Sequence, residues 1–409
     1  MRFVWLLSPL LLAGPAFTSA CASDPGAGGA GTTSTSTSTN TMTTSSSMSG
    51  SSSSSSGAGG TGGTGGTGGT GGTDGGAAAL PFSLLSLNLH CFKIDGTVFA
   101  TNAERFAAIA SLAASREVSV IAVQEACKRP GEEAIVALRA ALEQSTGAAW
   151  SSSWASAHVA WQGTPDEAEE GVGLLVRGAL EDAIVIDHAV QGAFRRVAVS
   201  ASLPPELAGA RVTSVHFEVF GEPTRAAQAR EAAVAALVDT DPGFSAIVAG
   251  DFNDVEGSNT VSAFPSMGYL DATAGLDPTG IDHVMIHRAT PLRPSSVERV
   301  FLGAEAVSDH PGILVRLTPA AGDVVNPTRV RALHDPGAGH HLTLRGDQAP
   351  LSWGVGHPMR RKASGEHALV CTELEGSFAF KTLIDDATWQ AGADVAGEAG
   401  KDNVTTPTF

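Results

Sequence analysis

Residues 80–318 alternate short apolar runs with amphipathic stretches, a pattern that predicts interleaved strands and helices. Residues 82–89 form an apolar run of strand length. Thr101 and Glu104 have capping-box spacing, and Phe106, Ile109, Ala110 and Ala113 then fall on one helical face. Residues 118–123 read as the next strand, with Glu125 just past its end. Further strands are expected at 172–176, 197–203 and 212–215, the last delivering His216. Pro223 and Thr224 open an Ala-rich helix to about residue 238, and residues 246–249 deliver Asp251. Residues 284–286 and 313–317 complete the set. Polar residues recur at strand ends, where α/β folds place ligand sites.

Beyond this region the pattern changes. Residues 319–326 read as a short linker, and residues 327–409 carry short strands with many turn residues, the pattern of a separate small β-sandwich. Residues 23–79 are nearly all Gly, Ser, Thr and Ala, which cannot build a core and reads as a flexible tether. The first 22 residues read as a signal peptide: Arg2 precedes an apolar stretch at 4–13 that is too short to span a bilayer. Ser19-Ala20-Cys21 resembles a lipobox, which makes Cys21 the lipidation candidate and the envelope its address. Ala20-Cys21-Ala22 also fits ordinary signal-peptidase cleavage, which would remove Cys21 and release a secreted protein. The tether that follows favours the lipoprotein reading.

The chain carries 42 Asp+Glu against 25 Lys+Arg, for a net charge of −17. That argues against a general polyanion-binding surface, whose phosphate contacts need Lys and Arg. Phosphate chemistry stays open, because a bound cation changes the local sign. The four cysteines, Cys21, Cys91, Cys127 and Cys371, have no zinc-site spacing.

Chemistry concentrates in Leu87-Asn88-Leu89-His90, Gln124-Glu125, Ser214-Val215-His216, Gly250-Asp251-Phe252-Asn253-Asp254, Ile281-Asp282-His283 and Ser308-Asp309-His310. In this order and spacing the blocks resemble the endonuclease/exonuclease/phosphatase superfamily over about residues 80–317. The resemblance implies a four-layered α/β sandwich of two packed mixed β-sheets, hydrolysing phosphoesters with Mg2+, or alternatively Mn2+ or Ca2+. It assigns Glu125, Asn88 and Asp309 to the metal. Asp251 would position or deprotonate the attacking water, and Asn253 would hold a phosphate oxygen. His310 would sit near the scissile phosphate with Asp282 fixing its tautomer. His216 takes the family's other histidine position, and Glu170 is expected to pair with it, as in the secreted DNases. Arg195 or Arg196 is a candidate for bidentate phosphate contact. If the strands before them are neighbours, as in the family, Cys91 and Cys127 come close enough for a disulfide.

His90 replaces the Asp found in abasic endonucleases, His283 is a candidate for site lining, and His158 and His287 read as surface or packing residues. A nuclease is the first expectation for substrate and a phospholipid or sphingomyelin phosphodiesterase the second. A glycan-binding surface protein with an inert hydrolase fold is the non-enzymatic alternative, which the joint presence of Glu125, Asp251, Asn253, Asp309 and His310 disfavours. A monomer is expected. The tail segments Leu342-Thr343-Leu344-Arg345-Gly346, Leu351-Ser352-Trp353, Phe378-Ala379-Phe380-Lys381 and Trp389-Gln390-Ala391-Gly392 resemble starch-binding-type β-sandwich modules. That resemblance makes Trp389 the candidate for stacking on a polysaccharide, with Trp353 assigned to the core.

Overall fold

The computed structural model describes residues 80–240, 244–321, 326–362 and 364–409, with the backbone of the two-residue strand β1 (Cys21–Ala22). The signal-peptide and tether readings fall outside the described residues, as do the Cys21 side chain and residues 322–325 of the expected linker.

The main body begins with β2 (Phe82–Asn88), α1 (Asn102–Ser115) and β3 (Val118–Gln124). The short hairpin β4 (Lys128–Arg129) and β5 (Glu132–Glu133) leads into α2 (Ala134–Thr146). Then come β6 (Trp150–Ala160), β7 (Ala168–Arg177), β8 (Glu181–Asp187), β9 (Val197–Ser202) and β10 (Arg211–His216). Helix α3 (Glu222–Val238), β11 (Ala246–Asp251), α4 (Asn259–Ser262), β12 (Tyr269–Asp271), β13 (Asp282–His287), β14 (Leu292–Val300) and β15 (Gly312–Pro319) close the body.

Two mixed sheets result. One runs β14-β15-β2-β3-β7-β4-β5 with β6 on β7, and the other runs β12-β13-β11-β10-β9-β8. β2 and β3 are parallel, as are β10 and β11, and the remaining pairs are antiparallel. Three cores separate four layers. The first lies between α1, α2 and the first sheet, around Ile109, Leu138 and Ile121. The second lies between the sheets, around Leu84, Leu174 and Val212. The third lies between the second sheet and α3, around Phe217, Ala232 and Val248. β2 reads as a continuous apolar run because it is covered on both faces. The capping box holds: Thr101 Oγ1 accepts the Glu104 N–H at 3.2 Å, and Glu104 Oε2 accepts the Thr101 N–H at 3.1 Å.

The C-terminal module contains β16 (Thr328–Ala332), β17 (Leu342–Gly346), β18 (His357–Pro358), β19 (Arg360–Arg361) and β20 (His367–Cys371). It ends with β21 (Ser377–Ile384), β22 (Thr388–Trp389), β23 (Val395–Glu398) and β24 (Asp402–Thr405). Its sheets are β1-β20-β16-β24 with β19 on β20, and β18-β17-β21-β22 with β23 on β21. Phe378 and Phe380 fill its core. Trp353, expected in that core, is instead 37 % exposed, and its ring lies 6.2 Å from that of Trp389.

The module shares a core with α3. Ala368 and Val370 of β20 join the cluster around Ala233 and Leu237. The buried Arg329 guanidinium donates to the Thr240 carbonyl at 2.5 Å while pairing with Asp402 at 2.9 Å. This explains the composition of α3: a helix buried towards both a sheet and a module has room for small side chains, so alanine dominates.

Candidate active site

Two parallel strand pairs aim their carboxyl ends at one place. Asn88 stands opposite Gln124 in the first sheet, and His216 opposite Asp251 in the second. β13 runs back along β11, so Asp282 starts opposite Asp251. Gln124 ties the sheets together by donating to Ser214 Oγ at 3.2 Å. A cavity of about 610 Å³ opens there, lined by Glu125, Glu170, Asp251, Asn253, Asp309 and His310 among others.

The chain turns sharply as it leaves each of these strands. Glu125, Asn253 and His90 all have left-handed φ values, of 46°, 51° and 48°. Such conformations cost non-glycine residues about 1 kcal/mol each. Local bonds hold them. The Asn253 N–H donates to Asp251 Oδ1 at 2.8 Å, and the His90 N–H donates to Asn88 Oδ1 at 2.9 Å. Gly250 has no substitute at its position, because a Cβ there would lie 2.0 Å from the Val215 carbonyl oxygen. Cys91 and Cys127 are disulfide-bonded, joining the turns that follow Asn88 and Glu125.

The Asn88 amide donates to Glu125 Oε1 at 3.0 Å and to Asp251 Oδ2 at 3.2 Å, so the residue links the expected metal position to the expected base. Asp309 lines the same cavity, with His90 Nδ1 at 3.5 Å from its Oδ1. Burial and the charge of Glu125 push the Glu170 carboxyl up to about 7, against the pull of Arg196. Burial and the charge of Asp282 push Asp251 up to about 7, against His310 and the Asn253 and Asn88 donors. Among the described residues, carboxylates gather in two places, Glu125 with Glu170 and Asp251 with Asp282 beside His310, and this crowding of oxygen donors and negative charge suits a divalent cation. When bound, such an ion offsets phosphate charge and orients the ester.

The Glu170–His216 pair differs from expectation. Arg196 is inserted: its Nη1 donates to Glu170 Oε1 and to His216 Nδ1, both at 3.1 Å, leaving His216 Nδ1 3.5 Å from Glu170. Burial, then the charges of Arg196, His310 and His158, hold His216 well below the usual imidazole range. Arg195 does not enter the cavity; it pairs with Asp187 at 2.7 Å on the surface. The Asp282–His310 pair forms as expected, with Asp282 Oδ2 at 3.0 Å from His310 Nδ1. Burial lowers His310, but the bond and charge of Asp282, with Asp251 and Asp309, push it up to about 10. Asp251 Oδ2 thus lies between two imidazoles, 3.6 Å from His216 Nε2 and 3.9 Å from His310 Nε2.

Other assignments shift. His158 lines the cavity, stacked on Phe194, and burial with the charge of Arg196 pulls it down to about 4. His283 faces away from the cavity lining, bonded to Asp271 at 3.1 Å and to the Asp254 carbonyl at 3.0 Å. His287 packs on Tyr269. Asn253 commits an amide N–H to the Phe217 carbonyl at 3.0 Å. Sequence reasoning missed Arg105. Its fully buried guanidinium donates to the carbonyls of Leu89 and Cys91 at 2.6 Å and of Val307 at 3.3 Å. It thereby fixes the segments that follow Asn88 and precede Ser308. The signal was a charged residue beside Phe106 on the apolar face of α1.

The profile of the Endonuclease/Exonuclease/phosphatase family matches residues 85–310, more than half of the 409-residue chain. The chain belongs to that family. Its members are phosphoester hydrolases, and this chain is an enzyme of that class; enzymes of the family are typically dependent on a divalent metal. Among solved structures, it is similar to an endonuclease/exonuclease/phosphatase family protein from Leptotrichia buccalis. The identity is 19 %, the match covers 58 % of this chain and 99 % of that one, and the TM-score is 0.47. It is also similar to an endonuclease/exonuclease/phosphatase from Beutenbergia cavernae, with 15 % identity, coverage of 78 % and 100 %, and a TM-score of 0.47. The human Nocturnin catalytic domain with bound sulfate matches at 15 % identity, with coverage of 59 % and 94 % and a TM-score of 0.44. No curated protein matches the chain in sequence.

Proposed function

We propose that this family member is an exported, divalent-metal-dependent phosphodiesterase of nuclease-like type that directs water onto phosphorus. The observation carrying this reading is the place of Asp251, between two imidazoles and hydrogen-bonded to the Asn88 amide. Asp251 Oδ2 takes a proton from water as the new P–O bond forms. His310, held protonated by Asp282, gives its Nε2 proton to the leaving oxygen as the old P–O bond breaks. Arg196 and Asn253, which line the cavity, would contact the phosphoryl oxygens, and Glu125, Asp309 and Asn88, whose amide lies between Glu125 and Asp251, would hold Mg2+. Export is supported by the pattern of residues 1–22 and by the Cys91–Cys127 disulfide, since such bonds persist in oxidising compartments. Cys21 is the proposed membrane tether.

The module is proposed to hold the enzyme on a polysaccharide. The neighbouring exposed rings of Trp353 and Trp389 support this, because flat indole faces stack on sugars. Purified protein tested with magnesium, calcium and manganese on plasmid DNA, RNA, sphingomyelin and bis(p-nitrophenyl) phosphate checks the catalytic reading. Turnover of sphingomyelin alone would replace the nuclease-like assignment, and no turnover of any would remove it.

A further inference from the structure

The mouth of the cavity carries an apolar rim. Phe220 is 75 % exposed, and Phe194 and Val219 are each more than one-third exposed. Phe194 and Val219 line the cavity directly, and Phe220 packs on Phe194 with ring centroids 6.0 Å apart. Leaving such rings in water forgoes the stabilisation their burial would give, yet the structure holds them there. A buried carboxylate, Glu218, accepts the Phe194 N–H at 3.4 Å through Oε2 and the Phe220 N–H at 3.1 Å through Oε1. Gln228, also buried, accepts the Glu218 N–H at 2.9 Å and donates to the Val190 carbonyl at 2.9 Å. Arg225 donates to the carbonyls of Glu218 and Val219, both at 3.0 Å. A Cβ at Gly192 would meet the Glu218 carboxylate at 2.3 Å, so that approach needs glycine. Two loops are thus stitched by buried polar groups, and what they present is a pair of phenyl rings.

We infer that Phe194 and Phe220, positioned by Glu218, form a subsite for the planar aromatic group of a small phosphoester, such as a nucleobase. The inference rests on the phosphodiesterase reading and narrows its substrate to small aromatic phosphoesters. The His158 ring already lies on Phe194 at 4.6 Å with an interplanar angle of 22°, so the more exposed Phe220 ring is the one left to take a stacked group. Charge selects size. A chain of net charge −17 repels long polyanions and anionic membranes alike, whereas a small ester brings few charges to a site that holds a cation.

The test is equilibrium binding of adenosine 5′-monophosphate and ribose 5-phosphate to the full chain with magnesium, two probes that differ only by the base. The wild-type protein is expected to prefer the nucleotide by about tenfold, the order set by stacking one base on an aromatic ring. Phe220→Ala should bring the ratio towards one, and Phe220→Trp should keep it. Glu218→Gln, with a single acceptor oxygen left, should lower the ratio in protein of unchanged melting temperature. Equal affinities in the wild type, or no binding of either probe, would overturn the subsite. So would Phe220-dependent binding to phosphatidylcholine vesicles without a base preference. Turnover of bis(p-nitrophenyl) phosphate reports separately on the hydrolase reading.

Discussion

Nη1 of Arg196 lies 3.1 Å from Nδ1 of His216, and a guanidinium only donates, so neutral His216 carries its proton on Nε2. That proton points to Asp251 Oδ2, 3.6 Å away. Arg196 therefore sets a tautomer that a Glu170–His216 bond would reverse. Nitrogen NMR of the wild type should report an Nε2–H imidazole for His216. Arg196→Met should lower kcat/KM about 100-fold, the order seen when a fixed donor leaves a site, and should move His216 to Nδ1–H facing Glu170. An Nδ1–H signal already present in the wild type would contradict the assignment.

The raised carboxyls make metal binding pH-dependent. Glu170 and Asp251 stand near 7 against ordinary values of 4.5 and 3.8, so between those limits the folded, metal-free protein holds protons that the unfolded chain has released. Metal-free stability therefore falls as pH rises from about 4 to about 7. His310, raised to about 10, acts in the same direction at higher pH. Magnesium relieves the repulsion and displaces protons, so the rise in melting temperature on adding it should grow between pH 5 and about 7.5. A magnesium effect that is flat or shrinks over that range, followed by calorimetry, would count against the site.

Much of this site is legible in the sequence, and the exceptions have physical causes. Asn88, Glu125, His216, Asp251, Asp282 and His310 each sit within two residues of the end of a strand that the apolar pattern reveals, so their convergence follows from the order of strands. Arg196 is different: its role depends on β9 lying beside β10, a pairing that no local pattern encodes. β6 escapes a periodicity reading because its sequence, WSSSWASAHVA, mixes Ser and Ala on both faces. β6 also brings His158 into the cavity. Helix α2 lacks a side-chain N-cap, although Gly147 at φ 66° marks its end. Trp353 lies in the loop after β17, and its exposure beside Trp389 is a tertiary relationship that its neighbours in sequence do not specify.

The Cys91–Cys127 bond closes a separation of 36 residues across the turns that follow Asn88 and Glu125. Loop-closure entropy assigns such a bridge roughly 3 to 4 kcal/mol. Reduction, or Cys91→Ser with Cys127→Ser, should lower the melting temperature and weaken magnesium binding together. Thermal melts and metal titrations that are unchanged by reductant would show that the bridge does not brace the site.

The shared core of α3 makes the C-terminal module part of the enzyme's stability. Arg329→Ala removes the buried guanidinium that joins Asp402 to the Thr240 carbonyl, although Arg331 still pairs with Asp402, and should lower the stability of the whole chain by about 1 to 2 kcal/mol. Denaturant melts should then show one transition moved to lower concentration. Two separate transitions in the wild type would mean that body and module unfold independently.

The central claim is that Asp251 activates water beside a divalent ion. Its most direct measurement is the hydrolysis of bis(p-nitrophenyl) phosphate by wild type and Asp251→Asn, after chelator treatment and again after magnesium is restored. The account predicts no turnover in chelator and recovery with magnesium for the wild type. With magnesium restored, it predicts that Asp251→Asn stays at least about 100-fold below wild type, with folding unchanged. Full turnover by chelator-treated wild type, or wild-type rates from Asp251→Asn, would contradict it.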